Sequence, residues 1–126
     1  MSDDRETVVK NYFEAMRKKR DGIESLIDLF DEHATYVEPF SGRGQPTSRS
    51  GKAEIAGFLR AMPENAPPDM EVNVDRIDRE GENVRAEWTC TSSTFAQPMR
   101  GVDVFEIKNA KIVRLETAMT QGPDAQ

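Results

Sequence analysis

Two carboxylates stand out because their sequence neighbours are apolar. Glu38 ends a β-prone segment directly before Pro39, and Asp103 lies in a valine- and phenylalanine-rich segment, on the same strand face as Phe105. Burial of a carboxylate is costly unless it is hydrogen-bonded or its pKa is raised, and such groups are typical of proton-transfer sites. The pattern predicts general acid–base chemistry at Glu38 and Asp103. The alternatives are a solvated strand end for Glu38 and an edge-strand charge for Asp103.

Other kinds of chemistry find little support in the sequence. The single histidine, His33, lies far along the chain from the single cysteine, Cys90, and a glycine-rich phosphate loop is absent. The spacing of a zinc site is therefore missing, and neither a metal nor a cofactor is predicted. His33 is expected to be exposed, and Cys90 is expected to pack as a small apolar residue.

Composition limits the class of protein. The chain has 126 residues, of which 37% are hydrophobic, so one domain spanning residues 1–126 with a modest core is expected. Seventeen Lys and Arg against 23 Asp and Glu give a net charge of −6, which opposes nucleic-acid binding. No signal-peptide pattern or long apolar run is present, so a soluble, cytoplasmic protein without a membrane partner is predicted.

Helical periodicity dominates the N-terminal half. It predicts a first helix over residues 4–20, a second over residues 23–30, and a third that begins after a Ser50 cap and is ended by Pro63, Pro67 and Pro68. The first helix ends in four basic residues, Arg17, Lys18, Lys19 and Arg20. Positive charge complements the helix dipole there, so no function is assigned to these residues.

Strand periodicity dominates the C-terminal half. Alternating apolar residues predict strands at residues 34–38, from 70, and at 84–91, 99–108 and 111–119, with a tight turn at Asn109-Ala110. Residues 40–49 are predicted to be a loop and residues 121–126 a frayed tail. Leading helices followed by a meander indicate an α+β fold, with the helices on one face of a curved antiparallel sheet.

Segments 30–40, 51–58 and 102–107 together resemble the ketosteroid isomerase and SnoaL-like branch of the nuclear transport factor 2-like superfamily. Nearly the whole chain is covered, and the order of elements matches. The resemblance implies a cystatin-like cone, in which three N-terminal helices pack against a strongly curved mixed or antiparallel sheet around a pocket. It also implies a homodimer through the outer face of the sheet, to which Val102 and Val104 would contribute.

The resemblance also assigns roles to the two carboxylates. Glu38 is similar to the isomerase general base, an aspartate that precedes a proline in this strand. Asp103 is similar to the acid kept protonated by apolar surroundings, for which ketosteroid isomerase is a known example. The chain departs from the family pattern because Glu14 aligns with the helix-one tyrosine, and Phe30 and Leu59 align with its supporting tyrosines. A changed substrate or reaction is therefore expected.

The leading hypothesis is an enzyme that transfers a proton on an apolar, carbonyl-containing ligand held in the cone. The resemblance gives Tyr12, Met16, Phe30, Tyr36, Leu59, Trp88, Cys90 and Met119 as candidate pocket residues, although apolar residues at such spacing are more often core. A non-catalytic module that binds a ligand or a partner is the alternative. Epoxide hydrolysis, another activity of the superfamily, is disfavoured because its Asp, Asn, Tyr and Arg set cannot be assembled from the sequence.

Overall fold

One six-stranded sheet carries every strand of residues 4–42 and 45–124, the part of the chain that this computed structural model describes. The strand order is β2-β1-β6-β5-β4-β3, with β1 and β6 parallel and all other neighbours antiparallel. The elements are α1 (Asp4–Arg17), α2 (Ile23–Asp28), β1 (Phe30–Glu38), β2 (Thr47–Ser50), α3 (Lys52–Asn65), β3 (Glu71–Glu80), β4 (Asn83–Thr91), β5 (Met99–Lys108) and β6 (Lys111–Gln121). The predicted α+β class is confirmed, with a mixed sheet.

The inner face of the sheet packs against α1. Side chains of β4 and β5 alternate between buried and partly exposed, as the sequence periodicity predicts. On the buried side, the Tyr12 ring meets Phe105 edge to face at 5.1 Å between centroids, and Phe13 meets the same ring at 6.2 Å. Burial of these aromatic side chains supplies much of the core that a polar chain of this size can form.

Irregularities in the strand ladder bend the sheet around the helices. The register shifts between Val74 and Arg76 in β3, and between Glu106 and Ile107 in the β5–β6 pair. Extra residues of this kind increase local twist and turn a strand toward its covered face. The curvature leaves room between α1 and the sheet.

The ends of the first two helices differ from the prediction. The first helix ends at Arg17 rather than Arg20, and a 3₁₀ helix (Lys19–Gly22) follows it. Gly22 explains the tight turn, because a Cβ there would lie 2.1 Å from the Ala15 carbonyl oxygen. The second helix ends at Asp28, and Phe30 begins β1 instead of closing that helix.

A short strand lies inside the predicted loop. Thr47–Ser50 forms β2, which pairs antiparallel with Thr35–Glu38 of β1. Ser50 is therefore extended and does not cap α3. The chain turns at Gly51, whose φ of 90° suits glycine, and its N–H donates to the Ala34 carbonyl at 2.8 Å.

Of the three prolines predicted to end α3, Pro63 lies inside the helix, which ends at Asn65 before Pro67 and Pro68. A proline costs one backbone hydrogen bond, and in the last turn few further bonds depend on it. The Asn65 side chain also donates to the Ala61 carbonyl at 3.1 Å, which helps to satisfy the helix end.

The C-terminal hairpin and tail complete the sheet. Asn109 and Ala110 have φ values of 52° and 62°, which confirms the tight turn, in the geometry of a type I′ hairpin. The tail differs from the predicted fraying, because the Ala96 N–H donates to the Pro123 carbonyl at 2.9 Å and β6 extends to Gln121. Residues 125–126 lie outside the described part.

Candidate functional site

A cavity of about 440 Å³ lies between α1, α3 and the inner face of the sheet. This volume is within the range of small-molecule sites. Six of the residues singled out from the sequence line it: Tyr12, Met16, Tyr36, Trp88, Cys90 and Asp103. Its opening includes Phe40, which is 44% exposed although it is a large apolar side chain.

Among the described residues, Asp103 is the only acid that lines this cavity, and it is 3% exposed. The Trp88 indole Nε1 donates to its Oδ1 at 3.2 Å, and the Thr117 hydroxyl donates to the same oxygen at 2.6 Å. Oδ2 accepts no hydrogen bond from any described residue. Every fully buried side-chain oxygen or nitrogen of the described residues has a partner, so Oδ2 is not fully buried. It is therefore accessible from the cavity.

Burial raises the pKa of Asp103 from its usual 3.8 to about 7, and the hydrogen bonds from Thr117 and Trp88 oppose that shift only in part. A carboxyl group with this pKa exchanges a proton readily near neutral pH. No cationic side chain is among the causes of the shift. The surroundings of Asp103 are therefore those of a proton-transfer group rather than of a permanent anion.

Strand register brings the two hydrogen-bond donors to Asp103. Thr117 of β6 lies directly opposite Asp103 of β5, and Trp88 of β4 lies opposite Gly101. A Cβ at position 101 would lie 2.2 Å from the Trp88 ring, so only glycine leaves room for the indole. Thr117 was missed from the sequence, although its position two residues before Met119 in an alternating strand marks it as inward-facing.

Two buried tyrosines stand beside Asp103. Tyr12 and Tyr36 are each 2% exposed, and their phenol groups interact with each other and with Asp103. Burial raises the pKa of both phenols, so both stay protonated and can donate hydrogen bonds. Glu14, which aligns with the family's donor tyrosine, is instead exposed and paired with Arg17 at 3.5 Å. Tyr12 therefore provides helix one with a phenol in the cavity after all.

Glu38 is buried but is not among the residues that line the cavity. Its Oε1 accepts the N–H groups of Phe40 and Ser41 at 2.7 and 3.1 Å, and its Oε2 accepts from the Ser41 hydroxyl and from Arg49. Arg49 also pairs with Oε2 through Nη2 at 3.1 Å. Burial alone would raise the pKa of Glu38, but these bonds outweigh it and lower the pKa. Such a group is a weak base.

The remaining predicted pocket residues lie elsewhere. Phe30 and Leu59 are fully buried in the core and do not line the cavity, and Met119 is 36% exposed. Sequence reasoning also missed Arg49 and Ser41, because both lie in the segment predicted to be a polar loop. Arg49 additionally lies over the Phe58 ring, 4.4 Å from its centroid, and so connects β2 to α3.

A metal site and a membrane-spanning helix each place requirements on the described residues. No group of three or more His, Cys, Asp or Glu side chains in residues 4–42 and 45–124 is arranged to hold a metal ion. None of the helices in this part of the chain combines the length and apolar character needed to cross a membrane.

Solved structures share this fold. A proposed ketosteroid isomerase from Kribbella flavida matches with a TM-score of 0.71 and 17% identity, over 98% of this chain and 82% of that one. A proposed polyketide cyclase from Sinorhizobium meliloti matches with a TM-score of 0.72 and 19% identity, over 89% of this chain and 94% of that one. TerC, crystallised with polyporic acid, matches with a TM-score of 0.74 and 18% identity, over 93% of this chain and 92% of that one. At these identities the likeness shows the fold, which is that of the nuclear transport factor 2-like class.

The sequence itself gives the family. The SnoaL-like domain family matches residues 9–115, so the chain belongs to that family. The matched region contains residues 9–17 of α1, the tyrosine pair and Asp103. No significant match to the chain is found among curated proteins.

Proposed function

We propose that this protein is a general acid–base enzyme that moves a proton within an apolar, cyclic carbonyl compound bound in the 440 Å³ cavity. One observation carries the proposal: Asp103 is buried on the cavity wall, has a pKa of about 7, and keeps Oδ2 accessible. The similar folds of a proposed isomerase and a proposed cyclase support this type of chemistry.

The proposed reaction uses three side chains. The Asp103 carboxylate accepts a proton from the carbon next to the ligand carbonyl, and the electron pair of that C–H bond moves onto the carbonyl oxygen. Tyr12 and Tyr36 donate hydrogen bonds to the resulting enolate oxygen, where such donors are most effective. In a ligand with a β,γ-double bond the enolate is a dienolate, and Asp103 then returns the proton to its γ-carbon, so that the double bond moves into conjugation with the carbonyl. The ligand is isomerised, and protons and electrons balance without a further reactant.

Trp88 and Thr117 position the base in this scheme. Both donate to Oδ1 of Asp103 and so hold the carboxylate plane with Oδ2 toward the ligand. Glu38, the base predicted from the sequence, supports the wall instead, because both of its oxygens are already hydrogen-bonded.

The alternative function is ligand binding without chemistry. The low pKa and occupied oxygens of Glu38 favour it, since the residue in the isomerase base position is not free to accept a proton. The two functions make different predictions for turnover and the same prediction for binding.

Exchange of ketone α-protons distinguishes the two functions. We expect the protein to catalyse deuterium uptake from D₂O into 2-tetralone, an apolar bicyclic ketone, measured by NMR above the buffer rate. Asp103→Asn should lower kcat/KM by about 10² or more, the usual contribution of a positioned acid–base group. Because Asp103 must be ionised, kcat/KM should rise with pH and level off above about 7.

The matched control is Glu106→Gln, which changes a carboxylate of the same strand whose side chain is 40% exposed and faces away from the cavity. The Glu106→Gln variant should catalyse α-proton exchange at the wild-type rate, and Glu38→Gln should keep at least a tenth of that rate. Equal rates in Asp103→Asn and wild type would overturn the proposal. Ketone binding without any exchange would establish the binding function instead.

A further inference from the structure

A second cavity of about 520 Å³ adjoins the first, at the end of α1. The two cavities share part of their walls, formed by Met16, Met62, Ala66, Pro67, Met70 and Val72. Three of these residues are methionines, whose unbranched side chains adapt to different occupants. An elongated ligand could pass from one cavity to the other by their rearrangement.

The second cavity has a cationic rim. Arg17, Lys19 and Arg20 line it, and Glu71 is the only acid among its lining residues. The whole chain has the opposite balance, with 23 acids against 17 basic residues. The local excess of positive charge favours an anionic group at this mouth. Glu71 repels a doubly charged phosphate more than a singly charged carboxylate, so the rim fits a carboxylate better.

Lys19 occupies a backbone position that usually takes glycine. Its φ is 56°, in the left-handed region, which costs a residue with a side chain about 1 kcal/mol. Its Nζ nevertheless crosses the cavity mouth and donates to the Pro68 carbonyl at 2.8 Å. A lysine ammonium has three donors, so two remain for a ligand. The strained backbone points to a use for this side chain.

Interaction with the helix dipole does not explain the other cations fully. Arg20 follows the end of α1, and its side chain makes no hydrogen bond or ion pair with any described residue. Arg17 reaches from α1 to the Val72 carbonyl at 3.5 Å, so its guanidinium is held across the same mouth. Lys18 carries the same charge but is not among the lining residues.

We propose that the two cavities bind one elongated carbonyl compound, whose carbonyl lies at Asp103 and whose terminal carboxylate lies at Lys19 and Arg20. The spacing fits such a ligand, because the five steps from Tyr12 to Arg17 correspond to about 7.5 Å along α1, and Lys19 lies beyond that end of the helix. The proposal rests on the proposed function for the position of the carbonyl. It adds the substrate class: an apolar keto acid.

Binding of a matched acid and ester tests the carboxylate site. The probes are 2-tetralone that carries a butanoic acid chain on carbon 6 and the methyl ester of that acid, with the dissociation constant measured by calorimetry. Wild type should bind the acid at least fivefold more tightly than the ester. Added NaCl should weaken the binding of the acid and leave the binding of the ester unchanged. The double variant Lys19→Gly/Arg20→Ala should bind the acid about tenfold more weakly and the ester within twofold of wild type.

The variants separate recognition from folding. Lys19→Gly suits the left-handed backbone, so its Tm should equal or exceed that of wild type while acid binding falls. Lys18→Ala removes the same charge next to the cavity and should bind the acid as wild type does. Equal binding of acid and ester by wild type, or an equal loss in Lys18→Ala and Lys19→Gly, would overturn the proposal.

Failure of the proposed function gives a different result. If the carboxylate preference holds but α-proton exchange is absent, the keto-acid site stands and the catalytic role of Asp103 falls. If 2-tetralone exchanges its α-protons but the acid and the ester bind equally, the catalytic role of Asp103 stands and the keto-acid site falls. If neither probe binds, both proposals are wrong.

Discussion

Asp103 and Glu38 are both buried carboxylates on the same sheet, and their neighbours move their pKa values in opposite directions. Asp103 meets two neutral donors, which only partly offset burial, so its pKa rises to about 7. Glu38 meets two backbone N–H groups, a hydroxyl and Arg49, so its pKa falls. The number of donors to the carboxylate, with the Ser41 hydroxyl first among those at Glu38, therefore separates a structural anion from a group suited to proton transfer.

Replacement of Glu38 should affect stability more than chemistry. Glu38→Gln leaves Arg49 without its buried partner, and we expect the free energy of unfolding at pH 7 to fall by about 3 kcal/mol. The pKa of Glu38 is lowered on folding, so its stabilisation is present above its usual pKa of 4.5 and is lost as the pH falls below it. Urea unfolding at pH 7 and at pH 3 checks both points.

The exposed Glu106 provides the control for that experiment. Glu106→Gln removes a surface ion pair with Lys108 at 3.7 Å, which should change stability by less than about 0.5 kcal/mol at either pH. A loss in Glu38→Gln that is equally large at both pH values would show that packing, not charge, holds this residue.

At the scale of elements, the pairing of β4, β5 and β6 assembles the acid–base group. Each of these strands alternates inward and outward residues, and their register puts Thr117 opposite Asp103 and Trp88 opposite Gly101. A shift of one residue in the pairing of any of these strands would turn that strand's inward side chain to the other face of the sheet. The absence of a side chain at Gly101 lets the indole lie over the strand and reach the carboxylate.

Gly101→Ala should displace Trp88 and loosen its hydrogen bond to Asp103. The added Cβ overlaps the ring, so we expect a loss of about 1–3 kcal/mol in the free energy of unfolding and a shift in tryptophan fluorescence. Trp88 is the only tryptophan in the chain, so the fluorescence reports this site alone.

Gly57→Ala is the matched control for that change. Gly57 lies within α3, and a Cβ there meets nothing within 4 Å. Alanine should therefore stabilise the helix by roughly 0.5–1 kcal/mol and leave the fluorescence unchanged. Unchanged stability in Gly101→Ala would contradict the close approach of Trp88.

At the scale of the whole molecule, apolar side chains remain on the outer face of the sheet. Val102 and Val104 alternate with the buried Gly101, Asp103 and Phe105, and both are only partly buried. Their cross-strand neighbours include Ala118, which is exposed, and charged residues of β4 and β6. An apolar strip with a charged rim is the usual composition of an interface.

We expect the protein to form a homodimer through this outer face. Sedimentation equilibrium should give twice the chain mass of 14.2 kDa for wild type. Val102→Lys/Val104→Lys should give the monomer, because burial of two unpaired charges is costly.

The control changes net charge by the same two units on the other side of the molecule. Glu54→Lys lies on the exposed face of α3 and should remain dimeric. A wild-type monomer at every concentration would contradict the expected dimer.

The sequence by itself determined the strands β4 to β6, their inward faces and the turn at Asn109-Ala110, and it singled out Glu38 and Asp103 as carboxylates in apolar segments. These features follow from local periodicity and turn preferences, which neighbouring residues carry. The order of helices and strands indicated the α+β class, and the resemblance to the SnoaL-like family implied the cone.

Only the tertiary structure decided which polar groups meet. Arg49 lies 11 residues from Glu38 along the chain, and Thr117 and Trp88 lie 14 and 15 residues from Asp103, so no local pattern identifies these partners. The orientation of Tyr12 into the cavity depends on how α1 crosses the sheet. The two adjoining cavities likewise exist only once the sheet has curved, because a cavity is the space that packed elements leave between them.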